Sequence, residues 1–67
     1  MVTNDDVVYN GKFICSEQGG FEKIRTYFSY KGNTYVIHGT YDDAGNFHAF
    51  WGDDSAEKIE KLPSFKE

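Results

Sequence analysis

Turn-forming residues punctuate this chain about every ten positions, too often for long helices and at the rhythm of short strands. Asn10-Gly11, Gln18-Gly19-Gly20, Lys31-Gly32-Asn33 and Asp42-Asp43-Ala44-Gly45-Asn46 are the punctuation. Between them lie the runs 7–9, 12–15, 21–30, 34–41 and 47–51, rich in Val, Ile, Thr, Tyr and Phe. Asn-Gly between two such runs is the dipeptide of a type I′ hairpin turn. The reading is five strands in an antiparallel meander, open or curled toward a barrel.

The period changes near the end. Asp54-Ser55-Ala56-Glu57 matches an N-cap with Glu three positions on, and Ala56, Ile59 and Leu62 then recur at every third position before Pro63. A helix of about nine residues is expected there, too short to stand alone and so packed on the sheet. The expected class is α+β, a small five-stranded antiparallel β-meander with one short C-terminal helix on one face. Residues 1–67 read as one domain, with 1–6 and 63–67 as flexible ends.

Pairing arithmetic sorts the side chains between two faces. A two-residue turn at Gly32-Asn33 sets Tyr30 opposite Tyr35, Phe28 opposite Ile37 and Ile24 opposite Tyr41. A turn on Asp43-Ala44, with Gly45 as the left-handed bulge residue, sets Tyr41 opposite Phe47, Gly39 opposite Ala49 and Ile37 opposite Trp51. A Gln18-Gly19 turn sets Phe13 opposite Ile24. One face then gathers Phe13, Ile24, Phe28, Tyr30, Tyr35, Ile37, Tyr41, Phe47, Ala49 and Trp51, and this is the expected core. A slip of one residue would scatter the set across both faces.

The other face carries Lys23, Arg25, Tyr27, Val36, His38, Thr40, His48 and Phe50. In this register Tyr27, His38 and Phe50 share one row, and Arg25, Thr40 and His48 the next. Arg25, Tyr27, His38 and Phe50 are candidate binding residues, because aromatics beside Arg and His stack on bases or anchor a protein partner. The plain alternative is a half-solvated face whose aromatics only pack across strands.

Charge adds a second candidate set. Eleven carboxylates oppose seven Lys and Arg, for a net −4. Six of the acids are adjacent pairs, Asp5-Asp6, Asp42-Asp43 and Asp53-Asp54. Residues 1–33 hold four basic and four acidic groups, and residues 34–67 hold three and seven. Asp42, Asp43, Asp53 and Asp54 therefore form a candidate acidic rim at the two ends of the last strand, set to steer a basic partner. Turn, cap and solubility chemistry is the plain reading of each pair alone. An acidic balance disfavours generic duplex binding.

Other chemistries find little purchase. Cys15 is the only cysteine, so no internal disulfide can staple the domain. It is placed on the core face, away from His38 and His48, and neither a zinc site nor a Cys/His pair follows. The 42–46 loop lacks the alternating carboxylates and distal Glu of a calcium loop. No serine sits in a nucleophile elbow and Gly19-Gly20 is no phosphate loop, so neither an enzyme nor a cofactor is expected. The first residues show no basic and apolar signal-peptide regions, and no apolar run nears the roughly 20 residues of a spanning helix. A cytoplasmic location and no membrane partner are the expectation.

Two functions follow. The first is a non-enzymatic protein-binding module, a small acidic inhibitor or adaptor whose partner is a basic or nucleic-acid-binding protein. Its profile of small size, acidity and missing catalytic motifs resembles phage- or plasmid-borne anti-defence inhibitors such as anti-CRISPR and anti-restriction proteins, without a shared residue motif. The alternative is a single-stranded nucleic-acid binder stacking bases on Arg25, Tyr27, His38 and Phe50. A homodimer through a free sheet edge is also open to a meander.

Overall fold

The computed structural model describes residues 1–18 and 23–62. The Gly19-Gly20 turn, Phe21 as a strand start, Pro63 as a stop and the 63–67 end lie outside the described residues. A helix, α1 (Asn4–Asn10), precedes five strands: β1 (Lys12–Gln18), β2 (Ile24–Tyr30), β3 (Asn33–Tyr41), β4 (Phe47–Ala49) and β5 (Glu57–Ile59). All pair antiparallel in one open sheet of order β1-β2-β3-β4, with β5 also on β3. The meander of β1 to β4 matches the sequence reading. The helix, however, stands at the other end of the chain.

The expected strand 7–9 and its Asn10-Gly11 hairpin turn are replaced by α1, because the chain before it is a complete N-cap. Thr3 Oγ1 accepts from the Asp6 N–H at 3.1 Å, and Asp6 Oδ2 accepts from the Thr3 N–H at 3.1 Å. These hydrogen bonds hold the Asp6 carboxyl below its ordinary value. The Asn4 and Asp5 N–H groups donate to the carbonyls of Asp54 and Gly52, each at 2.9 Å. Every one of the four amides that a helix start leaves orphaned thus has an acceptor. Asn10-Gly11 ends the helix, and Gly11 is needed for closeness: a Cβ there would sit 2.6 Å from the Val7 carbonyl oxygen.

The expected C-terminal helix is likewise replaced, by β5. Strand β4 pairs only with Gly39, Thr40 and Tyr41, which leaves the same side of β3 bare at Thr34, Tyr35 and Val36. Tyr35 and Val36 are buried, and buried backbone groups need partners. Residues 57–59 supply them, pairing Thr34 with Ile59 and Val36 with Glu57. That demand outweighs the weak propensity of a nine-residue helix. Asp53-Asp54 consequently cap nothing with their carboxylates; their turn offers backbone carbonyls to α1 instead.

Registers follow the turns. Lys31 and Gly32 both have positive φ, 51° and 81°, as a type I′ turn requires. The hairpin therefore turns on Lys31-Gly32, and Phe28 faces Tyr35, Thr26 faces Ile37 and Ile24 faces Gly39. This differs by two positions from the expected pairing, so every side chain keeps its face while each row changes. The Tyr41–Phe47 and Gly39–Ala49 pairs stand as expected. Ile37 does not face Trp51, since β4 ends at Ala49. In the first hairpin Phe13 faces Phe28 rather than Ile24, and a bulge between Phe13 and Cys15 moves Cys15 opposite Tyr27, off the core face.

The core is Val7 of α1 on Phe28, Tyr35 and Ile37, with Val2, Val8, Tyr30, Phe47, Ala49 and Ala56 packed around it. Of the expected core, Phe28, Tyr35 and Ile37 are buried and Ile24, Tyr30, Phe47 and Ala49 half-buried, but three residues are exposed: Phe13 at 59%, Trp51 at 57% and Tyr41 at 37%. A seven-residue helix is about 10 Å long and covers only part of the face. Thr26 is fully buried on that face and its Oγ1 has no partner. Replacing it by the isosteric valine is expected to add about 1 kcal/mol and raise Tm by about 4–8 °C. Calorimetry showing a lower Tm for Thr26→Val would reveal a partner for that hydroxyl.

Candidate functional site

Two surfaces concentrate chemistry, one on each face of the sheet. On the outer face, away from α1, the two-position change of register sets Arg25 opposite His38 and Tyr27 opposite Val36. The expected row of Tyr27, His38 and Phe50 does not form. Glu17, directly across from Arg25 on β1, organises the group. Its Oε2 accepts from Arg25 Nε at 2.9 Å and from the Tyr27 hydroxyl at 3.0 Å. The carboxylate holds Arg25 above its ordinary value. Burial first, and then Glu17, push the Tyr27 phenol up.

Tyr27 is only 3% exposed, so it is no open stacking platform. Together with Arg25, Val36 and His38 it lines a pocket of about 420 Å³, walled on the other side by Glu57, Ile59, Lys61 and Leu62. The three-residue stripe expected on one helix is thereby divided. Ala56 joins the core, while Ile59 and Leu62 cross to the outer face. Phe50 lies beyond this pocket. Its N–H donates to the His38 carbonyl at 3.0 Å, and its ring meets Trp51 edge-on at 5.6 Å.

On the helix face, the part that α1 leaves uncovered is a groove of about 430 Å³. Val8, Phe28 and Phe47 form its floor and Tyr9, Phe13 and Tyr41 its rim. The rings form a continuous chain, Phe13 on Phe28 at 6.3 Å, Phe28 on Phe47 at 6.0 Å and Phe47 on Tyr41 at 5.3 Å. Tyr9 is 73% exposed. Sequence reasoning missed this surface because it assigned Tyr9 to a strand and placed Phe13 and Tyr41 in the core. The cap Thr3-x-x-Asp6 before Val7-Val8 was the signal available.

The acidic pairs occupy separate places. Asp42 is bound up in its own loop, Oδ1 accepting from the Ala44 and Asn46 N–H groups at 2.9 and 2.8 Å and Oδ2 from His48 Nε2 at 2.8 Å. Gly45 and Asn46 of that loop line the aromatic groove, so Asp42 and the exposed Asp43 flank it. Asp53 and Asp54 are exposed in the turn that caps α1, at the far end of β4. Among the described residues no three His, Cys, Asp or Glu side chains converge as metal ligands, and no helix is long and apolar enough to cross a membrane.

His48, first of all, and the loop amides lower the Asp42 carboxyl from 3.8 to about 2. A lowered folded-state value contributes stability above about pH 4 that is lost as pH falls toward 2. Asp42→Ala should therefore unfold at lower urea than the parent at about pH 6, with the gap closing near pH 2. A gap unchanged across that range would show that the carboxylate form is not what holds the loop. Comparison with protein families, curated proteins and solved structures finds nothing that matches this chain.

Proposed function

We propose that this chain is a non-enzymatic protein-binding module, an acidic inhibitor or adaptor that engages a basic partner through the aromatic groove. The observation that carries the reading is the placement of Tyr9, Phe13 and Tyr41, all exposed, around one apolar floor. Exposed aromatics in a contiguous patch are the usual anchors of protein interfaces. The 42–46 loop adds acidic character at one end of the groove and would steer a cationic surface toward it. Base stacking on the outer face has less support, since Tyr27 is buried and both it and Arg25 donate to Glu17.

The test is affinity capture from the organism that encodes the chain, comparing parent and Tyr9→Ala/Phe13→Ala. Truncating two anchors is expected to weaken capture of a specific partner by tenfold or more, at about 2 kcal/mol for each hot-spot side chain. Both side chains are exposed, so circular dichroism should stay that of the parent. Equal capture by the two proteins would remove the groove as the interface.

A further inference from the structure

The pocket on the outer face is a different kind of surface from the groove. Small-molecule sites are concave, largely apolar, of roughly 300–1,000 Å³, with a few polar groups that converge. Here, at about 420 Å³, Tyr27 and Val36 form the floor and Ile59 and Leu62 the wall. Arg25 and His38 face one another across β2 and β3 at one side, and Lys61 enters from beyond β5. Two permanent cations, Arg25 and Lys61, line it with one carboxylate, Glu57, while Glu17 pairs with Arg25 from outside the lining.

The pocket is also organised in advance. Glu17 stands behind Arg25 and bonds it through Nε, and the same oxygen receives the Tyr27 hydroxyl. A guanidinium already held loses less conformational freedom when it meets a ligand. Lys61 is not part of that network and contributes its charge directly. Glu57 disfavours a doubly charged ligand such as a phosphate ester, by like-charge repulsion.

We propose that this pocket binds a small organic monocarboxylate with an apolar body. The carboxylate lies among Arg25, His38 and Lys61, and the body packs against the half-exposed Ile59 and Leu62, above the buried Tyr27 and Val36. The site is independent of the groove on the opposite face, so it stands or falls apart from the protein-binding reading.

Naphthoate and its neutral counterpart naphthamide are the probes, titrated into the full chain while amide resonances are followed by NMR. Naphthoate should give saturable shifts confined to 25–27, 36–38 and 57–62. Naphthamide should bind about tenfold more weakly, because it cannot form charge-assisted hydrogen bonds. Arg25→Gln should weaken naphthoate about tenfold and leave naphthamide unaffected. Since Arg25→Gln also releases Glu17, the exposed Lys61→Gln provides a second variant, expected to lose about threefold with the fold intact. Equal affinity for acid and amide would overturn the proposal, as would shifts centred on Tyr9, Phe13 and Tyr41, no saturable binding, or an Lys61→Gln chain binding like the parent.

Discussion

Ile37→Ala is expected to cost about 2–5 kcal/mol, enough to abolish or nearly abolish the cooperative melt. A chain of 67 residues has roughly 3–10 kcal/mol in all at typical stability per residue. Ile37 is completely buried in the middle of β3, opposite Thr26 and beneath Val7 of α1. Truncation there removes apolar burial and leaves a cavity between the helix and the longest strand. Trp51→Ala is the informative contrast. The larger residue belongs to the core on sequence grounds, yet it is 57% exposed, and its loss should cost less than about 1 kcal/mol. Urea titration of the two variants side by side is the measurement. Comparable losses would mean that the face assignments around β3 are wrong.

Gly39→Ala is the second large effect, and it acts through backbone. Gly39 has ordinary extended geometry, so conformational freedom is not the issue. A Cβ at this position would collide with the His48 carbonyl oxygen on β4, with His48 C only 2.9 Å away and Phe47 Cζ 2.7 Å away. The Phe47 ring can turn, but the carbonyl belongs to a three-residue strand whose whole pairing is with Gly39, Thr40 and Tyr41. Moving β4 also moves the turn behind it, whose Gly52 and Asp54 carbonyls cap α1. The expected loss is about 1–3 kcal/mol, the range for overpacking. Protection of the β4 amides against hydrogen exchange should fall more than that of β2. A Gly39→Ala chain that melts and exchanges like the parent would show that the two strands lie farther apart.

The placement of side chains was more legible than the placement of elements. Phe28, Tyr35, Ile37, Phe47 and Ala49 fall on one face, and Arg25, Tyr27, Val36, His38 and His48 on the other, as alternation along each strand requires. This survived an error in the turn, because shifting from Gly32-Asn33 to Lys31-Gly32 displaces the pairing by two. Rows are more fragile than faces. The same shift dissolved the Tyr27–His38–Phe50 row and brought Arg25 to His38 instead. At Cys15 even the face changed, since a bulge adds one residue and an odd displacement reverses the pleat.

Both ends of the chain carried local signals that pointed two ways. Val7-Val8-Tyr9 is a good strand by composition, but Thr3 and Asp6 make a reciprocal cap, and carbonyls from residue 52 and residue 54 satisfy the remaining amides. Residues 54–62 hold a plausible cap and a three-residue stripe, but the bare flank of β3 claims 57–59. Propensity differences of tenths of a kcal/mol per residue decide little where whole sets of backbone hydrogen bonds compete.

By itself the sequence determined that four strands run as an antiparallel meander and, outside the bulge at Cys15, which side chains share a face, because turn chemistry and period-two alternation are local. Only the tertiary structure decided which end becomes helix, which becomes the fifth strand, and hence where the open surfaces lie. The reason is that β3 is nine residues long and β4 covers three of them. The unmatched backbone draws the C-terminal segment into the sheet, and the N-terminal helix that takes its place as lid is too short to hide Tyr9, Phe13 and Tyr41.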